Sequence, residues 1–488
     1  MSTEQKNTPN LFLSLIPLVF LFSLLGLSLY CFGDDCVSGP NQIALFASTI
    51  VVFIVSIISG QKYRDLENGM IKGISITLPA CLILLFVGAL IGVWFISGTI
   101  PTMIYFGMNL LHAKVFYPCV AIVCAVVSMC IGSSWNTAAT IGIACQGISQ
   151  GLGLNPLITA GAVISGSYFG DKMSPLSGTT NIASAVSQVN LFSHIKSMTT
   201  TTIPSIIISV IMFAVVGLIT EPDTGKDSIG NESFRNILNN SFNISLWCIL
   251  PLAILLYLAV KRTHPIFTIC AGIIAGLVIA VIFQYDSITR LLHTDGSVLE
   301  NIKSLWQITY NGLNLETGNK NFDTLLSGGG MARMLNTVIL MFATMSFGSV
   351  MECSGCLGRI MSEAVLFINS AGKLVLATVF SAIGINAISG EQSMSVILPG
   401  RMYVDLYKNM KIAPTVLSRS LEDGGTITSV LIPWSTCGVY FSGLLKISTL
   451  DYLPYCFFNL VNVGMAVLFA LLGIGIVKAK DTNQNAGV

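Results

Sequence analysis

The sequence predicts an all-α polytopic membrane protein with about 11–13 helical crossings, inverted repeats, and broken helices or re-entrant hairpins. Of its 488 residues, 53% are hydrophobic and 10% are charged, whereas soluble proteins carry roughly 25% charged residues. Long apolar runs recur from Leu11 to Val477, and such runs are typical of membrane helices. The runs are continuous rather than alternating, which argues against a transmembrane barrel.

The candidate spans begin with residues 11–32, a run longer than the ~7–15-residue core of a signal peptide. Several later runs are too short for a full crossing, so some of them should be half-helices or hairpin arms. The candidates lie near residues 11–32, 41–60, 73–96, 115–134, 138–152, 157–170, 200–220, 244–260, 264–284, 333–351, 373–390, 393–407, 413–428 and 455–477.

The distribution of basic residues predicts the orientation of these spans. Lys62, Arg64 and Lys72 follow the second span, and Lys261 lies in a second basic loop. Because cytoplasmic loops carry an excess of Lys and Arg, we expect the N-terminus to be cytoplasmic. The segments expected outside are 33–40, 221–243 and 285–330, and the last is expected to hold a short amphipathic segment around Trp306 and Tyr310.

An internal repeat is the second strong pattern. Residues of the same type recur at an offset of 258 positions, as with Gly132 and Gly390. Ser97-Gly98 and Ser354-Gly355 match at an offset of 257. The further pairs at 258 are Pro156 and Pro414, Pro175 and Pro433, Ser177 and Ser435, and Ser184 and Ser442.

With the orientation above, the helix at 73–96 runs outward and its partner at 333–351 runs inward, so the repeats are inverted. Inverted repeats with Gly- and Pro-interrupted helices are typical of secondary transporters, whose sites lie near the midplane. The predicted organisation is N-terminal helices (1–72), a first inverted repeat (73–220), connecting helices and an outer loop (221–330), a second inverted repeat (331–477) and a tail (478–488).

The stretch Gly166–Ser184 is polar within an apolar region. Pro175 lacks an N–H and disfavours helix at the preceding residue, so we expect a helix arm, an unwound turn and a second arm. Polar backbone and charges persist at membrane depth where they line a cavity or an ion path. Asp171 supplies a carboxylate, unless it simply pairs with Lys172. The other expected ligands for a partly dehydrated alkali cation are Ser174, Ser177, Thr179, Thr180 and Asn181.

The second stretch, Ser418–Cys437, holds the adjacent acids Glu422 and Asp423, followed by two glycines. Adjacent residues on an α-helix point about 100° apart, so both acids face one ligand only if the helix opens at the glycines. Like-charge proximity and desolvation favour a proton carrier here. The alternative is a structural ion pair with Arg419. The polar residues expected to complete this site are Thr426, Ser435 and Thr436.

Two shorter polar stretches begin at the paired glycines. Ser133 and Asn136 follow Gly132, and Glu391 and Ser393 follow Gly390. Such groups at a helix break serve either as interhelical hydrogen bonds or as substrate ligands. Glu391 is a functional candidate because unpaired carboxylates in membranes are costly. The carboxylates predicted to bind the cation are Asp171, Asp423 and Glu391.

No pattern for a cofactor, for catalysis or for nucleic-acid binding is visible. The net charge is +1, and the four histidines lie in connecting regions. Thirteen cysteines are scattered without zinc spacing, and no phosphate-binding or hydrolase motif occurs. We therefore expect no enzymatic activity and no cofactor apart from transported ions.

These motifs resemble the NhaC-type sodium/proton antiporters, a branch of a wider ion-transporter superfamily. The similar motifs are FGDKMSPLS with TTN (169–177, 179–181), LEDGGT (421–426), IPW with TCG (432–434, 436–438) and LPGRMY (398–403). The resemblance covers residues 40 to 470 and implies an inverted-repeat sodium/proton exchanger in a bacterial cytoplasmic (inner) membrane. It also implies a possible homodimer, and some similar proteins exchange malate and lactate.

The chain departs from the family pattern at four positions expected to face the site. Gly178 and Glu391 stand where Asp is usual, Ser435 where Asn is common, and Asn136 where Gly is frequent. Loss of a carboxylate at position 178 removes a charged ligand or proton carrier. Asp171, Glu391 or Asp423 would have to compensate for it.

Two functional hypotheses follow, with the bilayer as the common partner. In the first, protonation of a carboxylate competes with sodium binding at the unwound turns, which gives sodium/proton antiport. In the second, an ion-coupled exchanger or symporter carries organic acids or amino acids, with Arg419 available to pair a substrate carboxylate. The repeat argues against a receptor, and no filter motif of a channel is visible.

Overall fold

A computed structural model describes residues 9–110, 112–220, 231–261, 263–292, 295–314, 327–365 and 368–479. These residues are almost entirely helical, and they contain no β-strand beyond two isolated bridges. The helices are α1 (Leu11–Phe32), α2 (Pro40–Ile58), α3 (Tyr63–Ile96), α4 (Thr99–Leu110), α5 (Phe116–Ile131), α6 (Ser134–Thr137), α7 (Ile143–Gly151), α8 (Pro156–Met173), α9 (Gly178–Val186), α10 (Leu191–Ile219), α11 (Asn231–Ser241), α12 (Leu250–Val260), α13 (Pro265–Phe283), α14 (Tyr285–Leu291), α15 (Val298–Asn311), α16 (Leu335–Cys353), α17 (Cys356–Val365), α18 (Ala371–Ser389), α19 (Gln392–Asn409), α20 (Pro414–Leu421), α21 (Thr436–Leu445), α22 (Thr449–Tyr452) and α23 (Phe457–Leu472).

The predicted membrane fold is confirmed. Within the described ranges, eight helices are long and apolar enough to cross a membrane, and the number rises to 11 if three bent helix pairs each count as one span. Eleven is the lower end of the predicted range. The outer faces of these helices expose large apolar side chains such as Phe12, Ile207 and Phe267, as expected for surfaces that contact lipid.

The helix predicted at 73–96 is longer than expected. It begins at Tyr63 and runs unbroken to Ile96 through Pro79. The boundary proposed at residue 72 therefore falls inside a helix. The basic residues Arg64 and Lys72 lie on the exposed first turns of this helix rather than in a loop. Of the predicted outer segments, 221–230 and 315–326 lie outside the described residues. The segment 285–330 does contain two short helices, α14 and α15.

The backbone repeats with the same offset as the sequence. Helices α5 and α18 both end in a left-handed glycine, Gly132 (φ 74°) and Gly390 (φ 64°). An added Cβ at Gly132 would collide with Leu176, whereas one at Gly390 would collide with Thr344 and lie 3.4 Å from the carbonyl oxygen of Trp434, the residue 258 positions beyond Leu176. Each repeat therefore packs its glycine cap against its own broken helix.

Other rare backbone conformations recur in register. Gln188, Lys411 and Lys446 are the non-glycine residues with positive φ in the described part of the chain, and this conformation is uncommon for such residues. Lys446 lies 258 positions after Gln188, and Lys411 lies 258 after Gly153, which also has positive φ. The backbone conformation therefore repeats also at positions where the two repeats do not have matching Gly or Pro residues.

Helices α5 and α8 approach closely through two glycines. A Cβ at Gly166 would collide with the carbonyl oxygen of Ala121, and one at Gly170 with that of Ala125. Small residues four positions apart allow backbones to approach in this way within membranes. This contact fixes α8, which ends at the first helix break.

We expect Gly166→Ala to lower stability through this contact. The added methyl forces α5 and α8 apart, and overpacking of this kind costs about 1–3 kcal/mol. Thermal unfolding of the purified protein in detergent measures the effect. Gly26→Ala is the matched control, since a Cβ there meets nothing within 4 Å. Equal melting temperatures for the two variants would contradict the packing described here.

Candidate functional site

Two broken helices form the centre of the candidate site. In the first, α8 ends at Met173 and α9 begins at Gly178, with Ser177 in an extended conformation between them. In the second, the helix stops after Leu431 and α21 begins at Thr436, with Ser435 extended. The unwound turns therefore lie where Pro175 and Pro433 predicted them.

The adjacent acids of the second repeat lie on a widened turn. Residues Glu422–Thr426 form a π-helical turn, a feature frequent at functional sites. Gly424 packs against the backbone of Val379, and Gly425 packs against Ser395. From the sequence, an opening at this glycine pair was the condition for both acids to face one ligand, and the structure has a π-turn there.

Asparagine amides satisfy carbonyl groups in and beside this turn. Asn386 Nδ2 donates to the Gly425 carbonyl oxygen at 2.7 Å, and Asn459 Nδ2 donates to that of Ile427 at 2.8 Å. Both asparagines are fully buried. Sequence reasoning missed them, although an asparagine within an apolar run was the available signal.

A fully buried ion pair joins the two repeats. The Lys172 ammonium contacts the Asp423 carboxylate, and both side chains are almost completely excluded from solvent. The same carboxylate oxygen accepts hydrogen bonds from Asn462 Nδ2 at 2.9 Å and Thr201 Oγ1 at 3.1 Å. Buried charges need such pairing and hydrogen bonding to be stable.

This pairing replaces two structural alternatives considered from sequence. Lys172 pairs with Asp423 rather than with its neighbour Asp171. Arg419 pairs with neither Glu422 nor Asp423, and its Nη1 donates instead to the Gly475 carbonyl oxygen at 3.2 Å. In each case the local pairing was wrong because helix packing supplies a partner that is distant in the sequence.

Asp171 binds the start of the short helix α6. Its Oδ2 accepts hydrogen bonds from the Ser134 amide at 3.0 Å and the Ser134 hydroxyl at 2.7 Å. Ser133 precedes this contact and caps the same helix through the Asn136 amide at 3.3 Å. The carboxylate thus connects the first broken helix to the first half-helix.

Glu422 differs sharply from the acid beside it. Its side chain is fully buried, and neither carboxylate oxygen has a hydrogen-bond partner among the described residues. The hydroxyl of Thr426, on the same π-turn, is also buried without a partner there. Two neighbouring acids therefore lie in opposite environments, one paired with a cation and one unpaired.

Glu391 lies at the second half-helix and is only partly buried. Its carboxylate caps α19 through the Ser393 amide at 3.2 Å. It also accepts a hydrogen bond from the Thr436 hydroxyl at 3.3 Å, across the second break. Glu391 in the second repeat and Asp171 in the first each tie a half-helix to a broken helix.

Several predicted ligands form hydrogen bonds that hold the breaks in shape. The Ser174 hydroxyl accepts from the Leu176 amide, and the Thr180 hydroxyl donates to the Lys172 carbonyl oxygen. Asn181 donates to two backbone carbonyl groups, and Ser435 caps α21. The Ser177 and Thr179 hydroxyls lie 3.0 Å apart and bond to each other.

A cavity of about 400 Å³ lies beside the first break. Ser133, Asn136 and Gly178 line it together with Thr263 and Thr268, and no lining residue is charged. A Cβ at Gly178 would meet nothing within 4 Å. Of the four departures from the resembling family, Asn136 and Gly178 share this cavity, Glu391 lies at the other half-helix and Ser435 is buried.

The three carboxylates predicted to bind a cation do not form one cluster. Within the described ranges, no group of three or more His, Cys, Asp or Glu side chains is arranged to hold a metal ion. Asp171, Asp423 and Glu391 each have separate partners. Lys172, Thr201 and Asn462 instead all contact the Asp423 carboxylate, and Glu422 precedes Asp423 in the chain.

Comparison with known proteins identifies the family of this chain. A family described as the Na+/H+ antiporter family matches residues 8–168 and 166–474. The chain belongs to this family. It is 34% identical over 442 residues to "Na(+)/H(+) antiporter NhaC" of Alkalihalophilus pseudofirmus, covering 90% of this chain and 92% of that protein.

Relatives named for other activities are about as similar. The "Malate-2H(+)/Na(+)-lactate antiporter" of Bacillus subtilis is 34% identical, with 98% of each chain covered. The "Arginine/ornithine antiporter ArcD" of Halobacterium salinarum is 32% identical, with 96% of this chain and 93% of that protein covered. This Na+/H+ antiporter family member therefore has relatives that differ in what they exchange.

Proposed function

We propose that the chain is a secondary active transporter that exchanges sodium ions for protons across a bacterial cytoplasmic membrane. One observation supports this most: Glu422 and Asp423 share one π-turn, but only Asp423 has a cationic partner. Pairs of titratable groups in contrasting environments divide the roles of proton carrier and charged ligand. Family membership and the paired helix breaks are consistent with this reading.

Glu422 is the proposed proton carrier. An unpaired, fully buried carboxylate is very costly in its charged form, so such a group takes up a proton. An arriving cation would supply the missing positive charge and release that proton. Proton and cation binding then exclude one another at a single place, which is the requirement for exchange.

Asp423 is the proposed cation ligand, and Lys172 competes with the transported cation for its carboxylate. In the described conformation, the Lys172 ammonium occupies the position of the positive charge. Sodium would displace it and use oxygen ligands nearby, with Thr201 Oγ1 already hydrogen-bonded to the carboxylate. Oxygen ligands of this kind suit hard cations.

Alternating access would move one repeat-related bundle against the rest of the protein. The contact between the repeats is aromatic as well as ionic. The rings of Trp135 and Tyr440 stack with centroids 4.0 Å apart, and the Tyr440 hydroxyl donates to the Trp135 carbonyl oxygen at 3.1 Å. Both residues lie just after a helix break, so their separation would open a path to the site.

Everted membrane vesicles from cells that lack other sodium exchangers test the proposal. A pH-sensitive dye should report sodium- or lithium-dependent proton movement when the protein is present. The matched control is the same vesicles with choline chloride. Absence of any sodium- or lithium-dependent signal from pH 6 to 9 would overturn the proposed exchange.

Exchange or symport of an organic acid or an amino acid is the second candidate. The uncharged cavity beside Gly178 favours it, since about 400 Å³ exceeds the room a bare ion requires. The malate/lactate and arginine/ornithine relatives favour it too. Counterflow of labelled organic and amino acids in proteoliposomes distinguishes the two. A saturable flux that persists without a sodium gradient would support this second function.

Gly178→Asp should strengthen the dependence of transport on sodium. A Cβ at this position meets no atom within 4 Å, and an acid at the first position of α9 is favoured by the helix dipole. The carboxylate would stand in the cavity, so we expect the sodium concentration for half-maximal exchange to fall roughly threefold to tenfold. Gly178→Asn is the uncharged control. Equal sodium dependence in both variants would show that a charge at this position does not act on the site.

The proposal extends to the location and assembly of the protein. The protein is a multi-pass membrane protein, and we propose the bacterial inner membrane as its location. We also propose that it works as a transporter without enzymatic activity or a resident cofactor, that it binds no nucleic acid, and that it forms a homodimer. Crosslinking in native membranes would test the last point.

A further inference from the structure

A cavity of about 250 Å³ lies at the far end of α21, and the proposed exchange does not use it. The described residues that line it include none from either helix break. Ser327 and Gly329 line it, and both belong to the segment predicted to lie outside. The volume is below the ~300–1,000 Å³ of pockets for drug-sized ligands, so an occupant must be small. Most of the wall is apolar, with Ile91, Phe95, Ile100, Ile104 and Ile143.

Among the described residues that line this cavity, Lys446 alone is charged. Its ammonium donates to the Ser327 carbonyl oxygen at 2.9 Å. A Cβ at Gly328 would lie 2.9 Å from the Lys446 Nζ and 3.5 Å from the Phe95 ring, so the ammonium lies close to the apolar wall. Within the described ranges, no carboxylate lies within 4 Å of it. An ammonium has three donors, so Lys446 can still donate to an anion.

Gln146 supplies a hydrogen-bond acceptor on the wall of the same cavity. Its side chain is buried, with 7% of the residue exposed. The Nε2 atom donates to the Pro156 carbonyl oxygen at 3.1 Å, which orients the amide. The Oε1 atom is buried without a hydrogen-bond partner among the described residues. Because an unpaired buried acceptor is costly, the cavity favours a ligand that carries a hydrogen-bond donor.

The charges at this end of the fold distinguish between classes of ligand. Arg333 is close enough for its positive charge to act on Lys446. Arg333 and Asp451 line a neighbouring cavity that Lys446 also borders. Two positive charges and one negative charge therefore lie here, and a monoanion balances them. An amino acid would instead bring an ammonium group into a cavity whose described lining has no carboxylate, and burial of an unpaired charge is costly. A hydroxyl donor avoids this cost.

We propose that this cavity is an outer binding site for a short 2-hydroxy monocarboxylic acid. The ligand carboxylate accepts hydrogen bonds from the Lys446 ammonium, a charge-assisted contact. The 2-hydroxyl group donates to Gln146 Oε1, and the short carbon chain packs against the apolar wall. The site is separate from Glu422, Asp423 and both helix breaks. The inference therefore goes beyond the proposed sodium/proton exchange and does not depend on it.

Binding of radioactive L-lactate to the purified protein in detergent, at a fixed sodium concentration, tests the proposal. The competitors are unlabelled L-lactate, propionate and L-alanine. They share a three-carbon skeleton and differ at carbon 2, which carries a hydroxyl group, a hydrogen atom or an ammonium group. We expect L-lactate to compete about three- to tenfold better than propionate, because the hydroxyl adds one hydrogen bond. L-Alanine should also compete less well than L-lactate. Equal competition by L-lactate and propionate would overturn the assignment.

Substitutions assign the two contacts. Lys446→Gln should weaken L-lactate binding by roughly tenfold, since it removes a charge-assisted hydrogen bond, whereas Lys446→Arg should retain binding. Gln146→Leu should remove the preference for L-lactate over propionate, which loss of a purely structural glutamine would not do. Gln146→Met repeats this test if the leucine variant fails to fold. Lys411→Gln is the matched control, because Lys411 is an exposed lysine with a similar left-handed backbone, φ 53° against 55° at Lys446. It should bind L-lactate as the wild type does.

The outcomes separate this site from the proposed function. Sodium-dependent proton movement tests the exchange, whereas L-lactate binding tests the cavity. Absence of L-lactate binding to the wild-type protein would overturn the site and leave the exchange intact. Undiminished binding in a folded Lys446→Gln variant would also overturn it, since the acid would then bind elsewhere, as in the cavity beside Gly178.

Discussion

Replacing Glu422 with Gln should abolish sodium-dependent proton exchange while leaving the fold unchanged. The amide copies the neutral, protonated form of the carboxyl group but cannot release a proton. We expect exchange to fall by roughly 100-fold, as when an essential proton-transferring group is removed. The melting temperature should stay close to that of the wild type, because the buried side chain forms no hydrogen bond or ion pair among the described residues. Dye-based flux and thermal unfolding on one preparation measure both.

Glu363→Gln provides the matched control for this substitution. Glu363 is partly exposed and pairs with Arg359 at 2.8 Å, one turn away on the same helix. Surface pairs of this type contribute at most about 0.5 kcal/mol, so flux and stability should both be retained. Normal flux in the Glu422→Gln variant would remove Glu422 from the mechanism.

Breaking the Lys172–Asp423 pair should have the largest effect on stability. Asp423→Asn leaves the Lys172 ammonium buried without its counter-charge, a change that costs about 3–5 kcal/mol. Removal of both charges in Lys172→Met/Asp423→Leu should restore much of this loss, since apolar replacements of buried pairs are often neutral or better. Sodium transport should be lost in both cases. Thermal unfolding and uptake of radioactive sodium separate the two effects.

The double variant makes this prediction informative about function. If the pair were only structural, a refolded double variant would carry sodium at the wild-type rate. If Asp423 binds the cation, the double variant regains stability without regaining transport. An Asp423→Asn protein as stable as the wild type would contradict the ion pair itself.

The sequence predicted the frame of the site because Gly and Pro act locally. Pro175 and Pro433 each lie in a helix break, although α3 continues through Pro79, and Gly132 and Gly390 permit the left-handed caps seen at both positions. Their common offset was therefore enough to reveal the repeat. The start of α3 was missed by ten residues because a polar helical end resembles a loop when no packing partner is known.

The partners within the site were beyond sequence reasoning. Lys172 and Asp423 are 251 residues apart, and Asn462 lies still further along the chain. Their meeting depends on how α8, the π-turn and α23 pack together, which no local pattern encodes. The sequence likewise does not show that the adjacent residues Glu422 and Asp423 lie in different environments, one unpaired and one paired with a cation.

Proton release on sodium binding tests the central claim most directly. Sodium chloride is added to purified, weakly buffered protein in detergent, and a pH indicator follows the solution, with choline chloride as the control. Competition at one site predicts release of ~1 proton per chain, lost in both Glu422→Gln and Asp423→Asn. No release from the wild-type protein, or equal release from Glu422→Gln, would contradict the account.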